Sequence, residues 1–264
     1  METAAGLQTL AVEIAREAGE LARVRRTQGV AIAATKSALA DIVTEADRDV
    51  EDLIRRRIAE ARPGDGFLGE ESGAERGTTG VTWVVDPIDG TVNYAYGIPA
   101  YAVSIAVVTG EPVVGEWDAE AAAVFNPASG ELFRAAVGEG AWLDGTRLAV
   151  AEPTAAGALL GTGFGYDSAT HAGDIARVAR VMPMARDVRR IGAASLDFAF
   201  VASGRFDGYF ERGLQPWDHA AGALLVTEAG GVVGGFDDVD GFGRRLFVAA
   251  GPGLFDSLLE AARD

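Results

Sequence analysis

The stretch Trp83-Val84-Val85-Asp86-Pro87-Ile88-Asp89-Gly90-Thr91-Val92-Asn93 is the most informative part of the chain. It opens on apolar, β-branched residues and reads as the end of a strand. A proline-containing polar turn follows at the strand's carboxyl end, where sites of α/β proteins usually lie. Asp86 and Asp89 are three residues apart, and such a turn can aim both carboxylates at one point. Converging carboxylates repel unless a cation neutralises them, and hard divalent cations take such oxygen ligands. Gly90 lets the backbone approach a ligand closely. A helix starting after Gly90-Thr91 would turn free N–H groups towards a phosphate. Read alone, the same residues also make a plain surface turn with a capping Asp.

Composition narrows the chemistry. The chain has 264 residues, 23 Lys+Arg and 39 Asp+Glu, a formal net charge of −16. It has no Cys, which excludes disulfides, thiolate zinc sites, iron–sulfur clusters and a Cys nucleophile. Its two histidines, His171 and His219, are too few for a His-rich metal centre and read as ordinary residues. The acidity opposes nucleic-acid binding, which needs clustered Lys and Arg. An acidic chain still handles phosphate if its carboxylates recruit a hard cation. With 48 % hydrophobic and 23 % charged residues, the chain reads as a globular protein. It shows no signal peptide, and no stretch approaches the roughly 18 apolar residues of a membrane span. A cytoplasmic protein is expected. The length allows one domain, residues 1–264, with a soft division into lobes 1–146 and 147–264.

Leu7, Leu10, Ala11, Ile14, Ala18, Leu21 and Val24 have helical spacing. Thr44 and Asp47 make a capping signal for a second helix through Val50, Leu53, Ile54 and Ile58, ending near Pro63-Gly64. Strands are expected at Val81–Val85, Val103–Thr109, Val113–Trp117, Leu132–Ala136, Leu148–Val150, Leu159-Leu160, Tyr209-Phe210 and Phe247–Ala249. Helical stretches are expected around Ile175–Met182, over Trp217–Ala229 and at the C-terminal end of the sequence, with Ser195–Ala202 a further element. Mixed elements without strict alternation indicate a layered α+β or α/β architecture.

Three more segments carry acids. In Gly69-Glu70-Glu71-Ser72 the adjacent acids could supply a metal ligand, or form a solvated loop. Trp217-Asp218 opens a helix closed by Glu228-Ala229-Gly230-Gly231, so Asp218 reads first as an N-cap. In Asp41-Ile42-Val43-Thr44-Glu45-Ala46-Asp47, Asp47 could simply complete a capping box.

Together the four segments resemble the inositol monophosphatase family of Mg²⁺-dependent, Li⁺-sensitive phosphatases. Its D-P-[IL]-D-G-T-x-N pattern is met at Asp86–Asn93, with the family's Trp at Trp83. Its G-E-E loop is met at Gly69–Glu71, and its W-D-x-A-[AG]-G helix ending in E-A-G-G at Trp217–Gly231. Its D-[LI]-V-T-x-x-D is met at Asp41–Asp47, with Lys36 upstream. Glu139-Gly140-Ala141 and Arg189–Ala194 resemble linking segments, and order and spacing agree over about residues 7–250.

The resemblance implies a layered αβαβα sandwich of the inositol monophosphatase/fructose-1,6-bisphosphatase type. It implies two to three Mg²⁺ ions. Glu70, Asp86 and the Ile88 carbonyl would hold the first, and Asp86, Asp89 and Asp218 the second, with a third near Glu70 through waters. Thr91 and Asp47 resemble the pair that orients or deprotonates the attacking water, with Glu70 a competing base. The amides of Gly90 and Thr91 would bind phosphate. Asp89, Glu211, Gly192, Ala193 and Ala194 would line the substrate pocket. The implied activity is hydrolysis of inositol monophosphate or a related polyol or sugar phosphate by a homodimer, with no nucleic-acid or membrane partner. Relatives hydrolyse histidinol phosphate, fructose bisphosphate, adenosine 3′,5′-bisphosphate or NADP phosphate, and a non-catalytic transcription-associated role is the other alternative. Val92 and the Gly163-Phe164-Gly165-Tyr166 stretch depart from the family pattern and bear on substrate identity, not on the reaction.

Overall fold

Strands apolar on both faces need cover on both, and here layers of helices supply it. The structure, a computed structural model, describes residues 3–30, 32–35, 42–111, 114–152 and 154–264. Lys36, Asp41 and Val113 of the sequence reading lie outside these residues. The chain begins α1 (Ala4–Thr27), β1 (Ile32–Thr35), β2 (Ile42–Thr44), α2 (Glu45–Ala61), β3 (Gly66–Gly69), β4 (Gly73–Glu75), β5 (Val81–Asp89) and α3 (Thr91–Tyr96). It continues β6 (Ala102–Gly110), β7 (Trp117–Phe125), β8 (Leu132–Ala136), β9 (Gly140–Leu143), β10 (Thr146–Arg147) and β11 (Ala158–Thr162). Then come α4 (His171–Val181), β12 (Ala185–Arg189), α5 (Ala194–Ala202), β13 (Gly208–Arg212), α6 (Pro216–Glu228), β14 (Val232–Gly234), β15 (Leu246–Ala250) and α7 (Pro252–Ala262).

Eight strands form one sheet in the order β10-β9-β8-β7-β6-β5-β3-β4, and five form another in the order β12-β11-β13-β15-β14. Helices α1 and α2 cover one face of the larger sheet, α5 and α6 lie between the sheets, and α4 and α7 cover the far side of the smaller one. Neighbours along a central strand therefore enter different cores. Trp83 and Val85 of β5 join the core under α1 and α2, whereas Val84 joins the core with α5 and α6. This is the layered αβαβα sandwich expected from the resemblance.

Three local expectations change. The strand placed at Val113–Trp117 begins at Trp117 and runs to Phe125, while 114–116 form a turn and bend. Its Ala121-Ala122-Ala123 run is weak in intrinsic strand preference. Here Ala121 and Ala123 face the α1 side and Ala122 faces α6, and small residues let helices approach both faces. The strand expected at Leu148–Val150 is irregular, with β10 ending at Arg147, and β12 adds an unforeseen edge strand. The proline turn of Asp86–Asp89 is a bulge inside β5: Asp86 pairs with Ser104 and Asp89 with Ala102 of antiparallel β6, one extra residue on β5.

Candidate active site

That bulge brings the first two carboxylates together. In a regular strand, residues three apart face opposite ways. The extra residue restores the phase: Ile88 packs under α1 and α2, while Asp86 and Asp89 share the other face. Pro87 causes no ladder penalty at a bulge, where its missing N–H is tolerated. The end of β5 is held by Asp86 Oδ1, which accepts from Ile88 N at 3.0 Å.

Two neighbours add acids. Strand β3 runs parallel to β5 with Gly69 opposite Val85, so Glu70 comes level with Asp86, and Glu70 N donates to Val85 O at 3.2 Å. The loop is fixed by a residue that the sequence reading missed. Glu51, one turn after Asp47 on α2, accepts from Glu71 N at 2.9 Å and Ser72 N at 2.8 Å. A Cβ on Gly69 would lie 2.5 Å from Glu51 Oε2, so Gly69 makes room for this clamp. From above, α6 delivers Asp218, whose carboxylate caps its own helix by accepting from Gln215 N at 2.6 Å. One oxygen from each of Asp86, Asp89 and Asp218 falls within 4.8 Å of the others, a group that could hold a metal ion.

Asp89 also ties this cluster to the middle layer. It accepts from Ala194 N at 3.2 Å, Ser195 N at 2.7 Å and the Ser195 hydroxyl, so it caps the N-terminus of α5 from a distant strand. Ser195 carried no sequence signal of this role. Gly90 takes φ +87° between Ala100 O and Gly192 O, and starts α3. Asn93 then donates to Ala100 O, Ile191 O and Gly192 O at 2.7, 2.9 and 3.3 Å, stapling the Gly192 segment over the loop.

Thr91 and Asp47 meet as a pair. Thr91 Oγ1 lies 3.1 Å from Asp47 Oδ1 and 3.1 Å from Ile88 O. Asp47 is fully buried and completes its capping box with Thr44, whose amide donates to Oδ2 at 2.8 Å. It lines neither cavity described below and reaches the site through Thr91.

Two adjoining cavities complete the site. One, of about 340 Å³, is lined by Glu70, Asp86, Ile88, Asp89, Gly90, Thr91 and Asp218. The other, of about 300 Å³, is lined by Asp89, Gly192, Ala193, Ala194, Glu211 and Asp218. All sequence-predicted residues except Asp47 therefore line one cavity or both. Glu211 accepts from Tyr209 Oη at 2.5 Å, and a Cβ on Gly163 would fall 1.9 Å from its Oε2. Gly163 is thus the vacancy that Glu211 fills. Tyr166, Gln215 and Arg190 also line these cavities and were not singled out as site residues from the sequence.

The cluster's electrostatics favour a cation. Burial raises the Asp86 carboxyl well above the ordinary range, and Glu70, Asp89 and Asp218 raise it further. Burial and the neighbouring Asp89 do the same to Asp218. Burial raises Asp89 to about 6 against the hydrogen bonds from Ser195, and raises Asp47 to about 6 against those from Thr44. Glu211 is raised to about 7, again by burial, with Arg190 opposing. Crowded carboxylates whose charge is so disfavoured fit a hard divalent cation. His219, next to Asp218 in sequence, points away into a stack with Trp117, its ring centroid 5.5 Å from the indole. Burial lowers its pKa to about 3.

Layered helices and sheets thus set a carboxylate group that could hold a metal ion beside a polar cavity. A model of the inositol monophosphatase family matches residues 5–263, and the chain belongs to that family. It is 43 % identical to the inositol-1-monophosphatase SuhB of Mycobacterium tuberculosis (strain ATCC 25618 / H37Rv) over 276 residues, covering 97 % of this chain and 93 % of that protein. It is 39 % identical to the Nus factor SuhB of Salmonella typhimurium (strain LT2) over 261 residues, covering 97 % and 95 %. The crystal structure of the extragenic suppressor protein SuhB from Bartonella henselae superposes with a TM-score of 0.86 at 34 % identity, covering 97 % of this chain and 98 % of that one. No helix among the described residues is long and apolar enough to cross a membrane.

Proposed function

We propose that this phosphatase hydrolyses a monophosphate of inositol or a related small polyol or sugar, using Mg²⁺. The observation that carries this reading is the Asp86-Asp89-Asp218 cluster opening beside the Glu211 cavity. These three carboxylates, with Glu70 and the Ile88 carbonyl, would hold two to three ions. An ion held there would supply an acidified water and neutralisation of charge on the phosphoryl and leaving oxygens. Thr91 Oγ1 orients the water. As a proton leaves that water for Thr91, the Thr91 proton moves to Asp47 Oδ1, 3.1 Å away. An Asp47 carboxylate held near 6 is matched to accept it at neutral pH. Glu70 is the alternative base, from the wall of the same cavity. The amides of Gly90 and Thr91 face phosphate, and Glu211 accepts hydrogen bonds from polyol hydroxyls between Gly192, Ala193 and Ala194. The amide hydrogen bonds that Asp89 receives keep it aimed between the two cavities. Li⁺ inhibition, a homodimer and a cytoplasmic location belong to the same reading.

The test is phosphate release, with and without Mg²⁺, from inositol 1-phosphate, histidinol phosphate, fructose 1,6-bisphosphate, adenosine 3′,5′-bisphosphate and NADP. Faster turnover of histidinol phosphate than of inositol 1-phosphate would overturn the substrate ranking. Asp89→Asn should nearly abolish turnover, and most activity surviving at saturating Mg²⁺ would overturn the site assignment. A second reading, a non-catalytic transcription-associated role, is favoured by the 39 % identity to a protein named Nus factor SuhB. Recovery of transcription factors by wild type and Asp86→Asn alike would support it.

A further inference from the structure

An ester held with its phosphate among the carboxylates and its polyol beside Glu211 has its bridging oxygen where the two cavities join. Five residues line both cavities: Asp89, Tyr166, Gly213, Gln215 and Asp218. Asp89 and Asp218 are acceptors committed to the cluster, and Gly213 has no side chain. The Gln215 amide donates to Asp218 and its side-chain Nε2 to Gly213 O. Tyr166 Oη has no hydrogen-bond partner among the described residues, and half of the side chain is exposed. Gln215 keeps a second Nε2 proton, but its side chain is anchored on Gly213 O; among the described residues Tyr166 is the donor side chain at this junction with no hydrogen bond committed elsewhere.

The loop that carries it is held from three sides. Gly165 N donates to Asp174 Oδ2 at 3.1 Å, and Gly165 O lies 2.9 Å from His171 Nε2. Arg244 fixes Asp174 with two hydrogen bonds of 3.0 Å each. A Cβ on Gly165 would come within 2.7 Å of Arg244 Nη1 and 2.8 Å of Thr170 Oγ1, so this approach needs glycine. These tethers fix the backbone beside the phenol before substrate arrives, which limits the reorganisation a transition-state donor must undergo. Partial burial, and then the surrounding carboxylates, oppose ionisation of the phenol, so it stays an O–H donor.

We propose that Tyr166 is a catalytic residue whose hydroxyl donates a hydrogen bond to the bridging oxygen of the phosphate ester as that oxygen departs. In hydrolysis the water oxygen bonds to phosphorus and the ester P–O bond breaks. The electron pair stays on the polyol oxygen, which takes a proton from solvent, while Asp47 returns the attacking water's proton to solvent. Tyr166 keeps its own proton throughout and stabilises the developing charge. This rests on the phosphomonoesterase reading above.

The experiment compares Tyr166→Phe with wild type on two esters at saturating Mg²⁺. Inositol 1-phosphate expels a basic alkoxide, and p-nitrophenyl phosphate a phenolate that needs little help. Loss of the hydroxyl should lower kcat/KM on inositol 1-phosphate about tenfold to a hundredfold. It should leave p-nitrophenyl phosphate within about twofold and the half-saturating Mg²⁺ concentration unchanged. Equal loss on both esters, a shifted Mg²⁺ requirement, or full activity of Tyr166→Phe on inositol 1-phosphate would each overturn the assignment while leaving the phosphatase reading intact. A wild type inactive on both esters would instead overturn the phosphatase reading, and the role of Tyr166 with it.

Discussion

Without divalent cations, the folded protein should lose stability as pH rises from 5 to 8. Asp47 and Asp89 titrate near 6 in the folded state, against about 3.9 in an unfolded chain. A carboxyl raised by folding binds its proton more tightly folded than unfolded. Its contribution is therefore most favourable at low pH and is lost as pH climbs through about 6. Each such group costs the folded state about 3 kcal/mol in all by pH 8, lost at about 1.4 kcal/mol per pH unit between about 3.9 and 6, so that about half of it falls within the pH 5 to 8 window. Asp86 and Asp218 are raised in the same direction. Because all four share one field, the expected loss for the cluster is a few kcal/mol. Mg²⁺ should restore it: at 100 times its dissociation constant a ligand adds about 2.7 kcal/mol. Restoration should be strong at pH 8 and weak at pH 5, where protons already occupy the site. The assay is urea unfolding with chelator or Mg²⁺ at both pH values, for wild type and Asp86→Asn/Asp89→Asn. The double variant controls for the net charge of −16, which also favours acid. An unchanged pH slope in the double variant, or equal Mg²⁺ stabilisation at pH 5 and 8, would refute the reasoning.

Other positions test single links. Thr91→Val keeps the side chain's shape but removes the hydroxyl between Asp47 and Ile88 O, and should lower kcat about a hundredfold or more in steady-state assays with small change in unfolding midpoint. Gly69→Ala drives a methyl into Glu51 Oε2 and should raise the Mg²⁺ concentration for half-maximal activity, with about 1–3 kcal/mol of destabilisation in urea titrations. Gly163→Ala pushes Glu211 aside and should raise KM for inositol 1-phosphate about tenfold, while p-nitrophenyl phosphate is turned over as before.

Much of the site was legible because its carboxylates sit in short local patterns. Asp86 and Asp89 lie in one strand end, Asp47 in a capping box and Asp218 at a helix start, and each pattern has a local physical rationale. Residues that support the site from other elements gave no such signal. Glu51 reads as one more acid on an exposed helix, yet its carboxylate holds the Glu70 loop. Ser195 reads as a helix residue, yet it and Ala194 bind Asp89 across the layer boundary. Strand β7 was misplaced because its alanines favour a strand only where helices press on both faces.

The sequence by itself determined the chemistry on offer: no thiolate, two histidines, and acids in spaced pairs that call for a hard cation. It also carried the helix and strand periodicities from which the layers are built. Only the tertiary structure decided which acids converge. A one-residue bulge turned Asp86 and Asp89 to the same face of β5, and the packing of α6 over that strand end brought in Asp218, 132 residues further along the chain. Local propensity cannot specify such a meeting, because it depends on the register and layer packing of segments that touch only when the fold is complete.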